Sequence, residues 1–108
     1  MARNRNEIID TVKRYLDVLR ENDINVSSAY LFGSHAAGNA GNDSDIDVAI
    51  ITENLDGDMV DITVQLKLLT EKVDLDIWPH LYLREELEKA EEGSFLKEEI
   101  LTKGILIH

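Results

Sequence analysis

Between Glu7 and Arg20, apolar side chains fall at Ile8, Ile9, Val12, Tyr15, Leu16 and Leu19. Steps of three and four gather them into one stripe, which predicts a helix. Asn4 with Glu7 three positions on reads as a capping box, and Asn22-Asp23 as the stop. Ala29-Tyr30-Leu31-Phe32 is short, wholly apolar and cut off at Gly33, the pattern of a buried strand. From His35 to Ser44 the chain is almost all glycine, alanine, asparagine, aspartate and serine, so a loop is expected there. Asp45-Ile46-Asp47-Val48-Ala49-Ile50-Ile51 then opens in strict alternation. A strand would turn Ile46, Val48 and Ile50 to one face and bring Asp45 and Asp47 together on the other.

Residues 59–69 satisfy two periods, because Met59, Ile62, Leu66 and Leu69 fit a helix while Val60, Ile62, Val64, Leu66 and Leu68 fit a strand. The run is long for a strand, which favours a helix capped by Asp58. Val73, Leu75 and Ile77 alternate with Asp74, Asp76 and Trp78, predicting a strand closed by Pro79 with both acids on its polar face. A helix from about Arg84 to Glu92, a break at Gly93-Ser94, a second helix through Lys103 ended by Gly104, and an edge strand at Ile105-Leu106-Ile107 follow. Helix, strand, strand, helix, strand, helix makes an α/β (α+β) fold, a small mixed β-sheet flanked by helices. With 108 residues, the expectation is one domain spanning 1–108.

Composition narrows the function classes. The chain is 44% apolar with one proline and no repetitive tract, which is globular and not disordered. The basic start Met1-Ala2-Arg3-Asn4-Arg5-Asn6 leads into a polar helical pattern without an apolar core, so it is not a signal peptide. No apolar run reaches membrane-spanning length. The absence of cysteine excludes disulfides, thiolate metal sites and a cysteine nucleophile, and a cytoplasmic location is the default. Twenty-two acidic against 11 basic residues give a net charge of −11, and the basic residues are scattered among the carboxylates. Such a surface repels a phosphate backbone, so no direct nucleic-acid contact is expected.

The candidate chemistry sits between the second and third apolar runs. Gly33-Ser34 can form a nest of backbone N–H groups with a hydroxyl, which suits phosphate oxygens, although taken alone it reads first as an ordinary tight turn capped by serine. Asp45 and Asp47 on one strand face repel each other unless a cation sits between them, and Mg²⁺ prefers one or two carboxylates plus phosphates and water. A third acid from a neighbouring strand would complete a two-metal site for in-line displacement at phosphorus. Asp74 and Asp76 both qualify by periodicity, and Asp76, nearer the strand's carboxyl end, is preferred. His80 and His35 each fit either a hydrogen-bonded loop histidine or a nucleotide contact. Trp78, Tyr82 and Phe95 are too dispersed for a stacking platform and read as packing residues.

As a set, Gly33-Ser34, the short loop, Ser44-Asp45-Ile46-Asp47 and a later acid resemble the minimal nucleotidyltransferases of the DNA polymerase β superfamily. The stretch Leu31 to Gly38 followed by Ser44 to Ile50 carries the resemblance, which spans most of the chain. It implies a polymerase-β-type fold in which Asp45, Asp47 and Asp76 hold Mg²⁺ in a two-metal site. It also implies that Gly33 and Ser34 seat the phosphates of ATP or another NTP, while Ser44 fixes the metal loop. Members often carry a basic residue in the loop near Ala37, and this chain has none there. Minimal members act as antitoxins that transfer AMP to a tyrosine of an all-helical HEPN toxin, which implies such a partner here. The alternatives are transfer to a small hydroxyl compound with a homodimer building the acceptor pocket, or a binding antitoxin with weak turnover.

Overall fold

The computed structural model describes residues 4–38, 41, 44–54 and 57–108. Strands β1 (Ser28–Phe32), β2 (Ile46–Thr52), β3 (Ile77–Leu83) and β4 (Ile105–Leu106) form one sheet in the order β3-β2-β1-β4. β1 is antiparallel to β2 and β4, whereas β2 and β3 are parallel. Parallel neighbours need a crossover, and α3 (Met59–Leu69) with a 3-10 turn at Thr70–Lys72 supplies it. This is the mixed sheet flanked by helices that the sequence pattern predicts.

The alternation in β2 divides the interior. Ile46, Val48 and Ile50 are buried against Ile8, Val12, Tyr15, Leu16 and Leu19 of α1 (Arg5–Glu21) and against Leu66 and Leu69 of α3. On the other face Ala49 and Ile51 pack with Phe32 and Ile100. Both helices on the first face start where the sequence says they should. Asn4 accepts from the Glu7 amide at 2.9 Å and donates to its carboxylate, and Asp58 accepts from the Val60 amide at 2.7 Å. Asn22 caps the end of α1, with Asp23 left-handed at φ 62°. The Tyr15 hydroxyl crosses the core to donate to the Leu66 carbonyl, tying α1 to α3.

Several boundaries differ from the sequence expectation. The strand expected over residues 73–78 is delayed by a bend over residues 73–76, where the Val73 and Asp74 amides both donate to the Thr70 carbonyl at 3.0 and 2.8 Å. β3 starts only at Ile77 and runs through Pro79, which the sequence reading took as its end. Proline is admitted because β3 lies at the sheet edge and needs ladder hydrogen bonds on one side only. The first four residues of the expected loop's neighbourhood, Ser34–Ala37, form the short helix α2, closed by Gly38 at φ 83°. Within that expected loop, residues 39–40 and 42–43 lie outside the described residues. Near the carboxyl end, α4 covers only Arg84–Glu88, and Leu96–Thr102 is a π-helix ended at Gly104, where a Cβ would overlap the Ile100 carbonyl. Among the described residues, no helix is long and apolar enough to cross a membrane.

Burial holds the Tyr15 phenol well above its ordinary 10.0. The unfolded chain releases that proton near pH 10 while the native state keeps it, so native stability is intact below pH 10 and falls as pH rises further. The expected slope approaches about 1.4 kcal/mol per pH unit for this group. Urea titrations of the wild type are expected to show that fall above about pH 10, and Tyr15→Phe to make it shallower, with the raised Tyr82 phenol leaving a remainder, while costing about 1 kcal/mol at neutral pH. An equal alkaline fall in Tyr15→Phe would mean that Tyr15 ionises in the native state.

Candidate active site

Antiparallel pairing brings the end of β1 to the start of β2, and parallel pairing brings the start of β3 to the same place. Phe32 faces Asp47 across one ladder, and Asp47 faces Trp78 across the other. Three strand termini therefore meet at one edge of the sheet. Gly33-Ser34 leaves the first, Asp45 enters the second and Asp76 precedes the third.

Asp47 is held from two sides. Its Oδ1 lies 3.3 Å from His80 Nε2, the geometry of an imidazole N–H donating to a carboxylate. Its Oδ2 lies against Gly33, where a Cβ would approach it to 2.5 Å. Gly33 has φ 76° and ψ −151°, a conformation essentially confined to glycine. The loop and the carboxylate are thus shaped around each other. His80 is steadied in turn by Phe32, whose ring meets it edge-on with centroids 5.0 Å apart, and Phe95 meets Phe32 from 6.0 Å.

Ser34 opens α2, and the first amides of a helix have no partners within it. His35 Nε2 is 3.3 Å from the Ser44 carbonyl, and Ser44 Oγ accepts from the Gly41 amide at 2.8 Å, so both residues tie the loop to itself. Asp45 is exposed, two residues before the partly covered Asp47.

The two further acids part company. The Asp76 carbonyl accepts from the Ile46 amide at 2.8 Å, so Asp76 stands beside Asp45 where the β2–β3 register continues past the strand ends. Asp74 accepts on Oδ1 from the Asp76 amide at 2.9 Å and borders a shallow groove with Glu7, Asp10, Arg14 and Asp17 of α1. That groove belongs to the α1 side of the sheet. Periodicity made the two acids equivalent, and the bend at residues 73–76 separates them.

Among the described residues, no three acids or histidines converge closely enough to enclose a metal ion by themselves. The donors available at Asp45 and Asp47 are hard carboxylate oxygens, and the fit is to a cation such as Mg²⁺ that completes its shell with phosphates and water. The contact of His80 with Asp47 is the feature that sequence reasoning did not isolate. Its signal was the parity of Ile77, Pro79 and Leu81, which becomes visible once proline is allowed inside an edge strand.

The family model described as "Polymerase beta, Nucleotidyltransferase" matches residues 12–108. Among solved structures, one from Sulfolobus solfataricus, provisionally described as a nucleotidyltransferase, is 15% identical with a TM-score of 0.65. The match covers 94% of this chain and 80% of that one. A toxin–antitoxin structure with AMP-PNP is 25% identical with a TM-score of 0.61, over 93% of this chain and 72% of that one. A mutant of the toxin–antitoxin MntA–HpeT is 23% identical with a TM-score of 0.58, over 98% of this chain and 73% of that one. No curated protein matches the chain.

Gly33→Ala should expose the interlock directly. A side chain in this conformation is expected to cost about 1–3 kcal/mol in urea unfolding, with helix content unchanged by circular dichroism. The His80 ring resonances should shift as the Asp47 carboxylate is displaced. Wild-type stability with unmoved His80 signals would show that Asp47 does not rest on Gly33.

Proposed function

Because the chain belongs to the polymerase β nucleotidyltransferase family, we propose that it transfers a nucleoside monophosphate, AMP from ATP, to a tyrosine hydroxyl of an all-helical HEPN toxin. The chain would then be the antitoxin of that pair, in the cytoplasm. The observation that carries this reading is the fit of Asp47 against Gly33, which makes the carboxylate pair and the phosphate loop a single unit. The resemblance to a toxin–antitoxin structure with AMP-PNP supports both the nucleotide and the kind of partner. A net charge of −11 supports a protein acceptor over a nucleic acid.

In this reading Asp45 and Asp47 would hold the Mg²⁺ that accompanies the nucleotide, and Asp76 would join them for a second ion. Bound Mg²⁺ supplies charge neutralisation at the triphosphate and acidifies the acceptor hydroxyl. The chain's own groups do the rest. The backbone at Gly33 and the Ser34 hydroxyl grip the β and γ phosphates, and Ser44 keeps the loop closed through Gly41. His80 fixes one oxygen of Asp47 so that the other stays aimed across the loop. The acceptor hydroxyl gives its proton to solvent, and its oxygen bonds to the α-phosphorus as the bond from that phosphorus to the bridging β-phosphate oxygen breaks. Pyrophosphate leaves from the Gly33-Ser34 seat, and no covalent enzyme intermediate is needed.

Incubating the chain with α-labelled ATP, Mg²⁺ and the product of its adjacent gene tests the reading. Label is expected on the neighbour and not on this chain. Asp45→Asn with Asp47→Asn should lower transfer on the order of a thousandfold or more. Asp76→Asn should lower it severely, whereas Asp74→Asn should leave it near wild type. Equal losses at positions 74 and 76 would reverse the assignment of the third acid, and an unlabelled folded neighbour would end the acceptor proposal.

A further inference from the structure

α3 is apolar on more sides than its place in the fold uses. It buries Leu66 and Leu69 in the core, yet Val60, Val64 and Leu68 are 69%, 52% and 64% exposed. These three recur at four-residue steps and so form one outward stripe, with Met59 also exposed beside its first turn. A helix apolar on both faces is expected to be covered on both. Among the described residues, nothing of this chain buries the outer one.

The stripe leads toward the site. Lys67, next to Leu68, reaches back so that its Nζ donates to the Leu75 and Ile77 carbonyls at 3.2 and 2.9 Å and lies 4.1 Å above the Trp78 ring. Trp78 is 47% exposed and is the β3 partner of Asp47. Apolar surface therefore runs along α3, and past the Lys67 stem, to within one strand of the carboxylates.

Charge decides what covers it. Asp58 caps the helix, Asp61 lies three residues before Val64 and Glu71 three after Leu68, all exposed, and against them stands the exposed Lys72, so the rim is net acidic. Lys67 is already committed to carbonyls and to the indole. A second copy would bring the same acids and another net charge of −11 against this rim, whereas a partner with an apolar helix flanked by lysine or arginine would meet complementary charge. We infer that the outer face of α3 is the docking surface for a basic-flanked apolar helix of the acceptor protein. Docking there would deliver its hydroxyl past Trp78 to Asp45, Asp47 and Asp76. This rests on the acceptor reading above, and adds to it where the acceptor is held.

Calorimetry with the full chain and the separately purified product of the adjacent gene tests the surface, alongside labelled-AMP transfer to that product. Val64→Gln with Leu68→Gln changes exposed positions only, so the thermal midpoint should be unchanged while affinity falls roughly tenfold or more. Asp61→Lys with Glu71→Lys should also weaken binding and flatten its dependence on salt. The chain alone should sediment as a monomer. Wild-type affinity in the glutamine variant overturns the docking surface even if AMP transfer proceeds. Lost affinity with no transfer by the wild type supports the surface and removes the catalytic reading instead. A homodimer of the chain alone that the glutamine variant dissociates assigns the stripe to a second copy and overturns the inference, as does failure of the wild type to bind the neighbour.

Discussion

The contact between the Asp47 carboxylate and the bare Cα of Gly33 constrains more of this structure than its size suggests. It needs β1 to end and β2 to begin at the same level, which antiparallel pairing of Phe32 with Asp47 provides. It needs a residue with no Cβ held at φ 76°, and it needs α2 to start at once so that the backbone turns away. Shifting β2 by one residue would send Asp47 into the core and bring Ile46 or Val48 to the loop. The register of the sheet and the shape of the site are in this sense one requirement, enforced by the burial of Ile46, Val48 and Ile50.

That requirement also explains how a chain so acidic folds around a carboxylate pair. Half of its acidic residues lie on helices, where pairs such as Lys89 with Glu85 and Lys103 with Glu99 add little individually. At the site the repulsion between Asp45 and Asp47 is met by exposure of the first and by the His80 contact of the second. His80 is itself set by Phe32, a residue that packs with Ala49, Ile51 and Ile100 on the second face of the sheet. Core and site are linked through that ring, and the short apolar run before Gly33 contributes to both.

Much of this was legible in the sequence because local signals agreed. The caps at Asn4 and Asp58, the stripe of α1 and the alternation of Ile46, Val48 and Ile50 each state one structure, and the fold realises them. The third strand was not legible. Residues 73–78 alternate well, but the Thr70 carbonyl captures the amides of Val73 and Asp74 and bends the chain before pairing can begin. Pro79 then misled in the other direction, since its cost depends on whether a strand is central or outer, and that is a property of the assembled sheet. Asp74 and Asp76 separate for the same reason, at the one bend that alternation cannot reveal. The outer stripe of α3 was ambiguous, because Val60, Val64 and Leu68, three of the five residues that suggested a strand, are those that the helix turns outward.

The admission of Pro79 into β3 has an effect beyond the strand's length. An outer strand ordinarily offers a row of unpaired donors and acceptors to any extended chain that passes, and proline removes a donor from the middle of this row. At the far side of the sheet β4 is only two residues long, too short a template to recruit a backbone. Neither margin of the sheet is therefore suited to growth by strand addition. Whatever this protein assembles with must recognise it through side chains, and recognition of that kind can tell one partner from another.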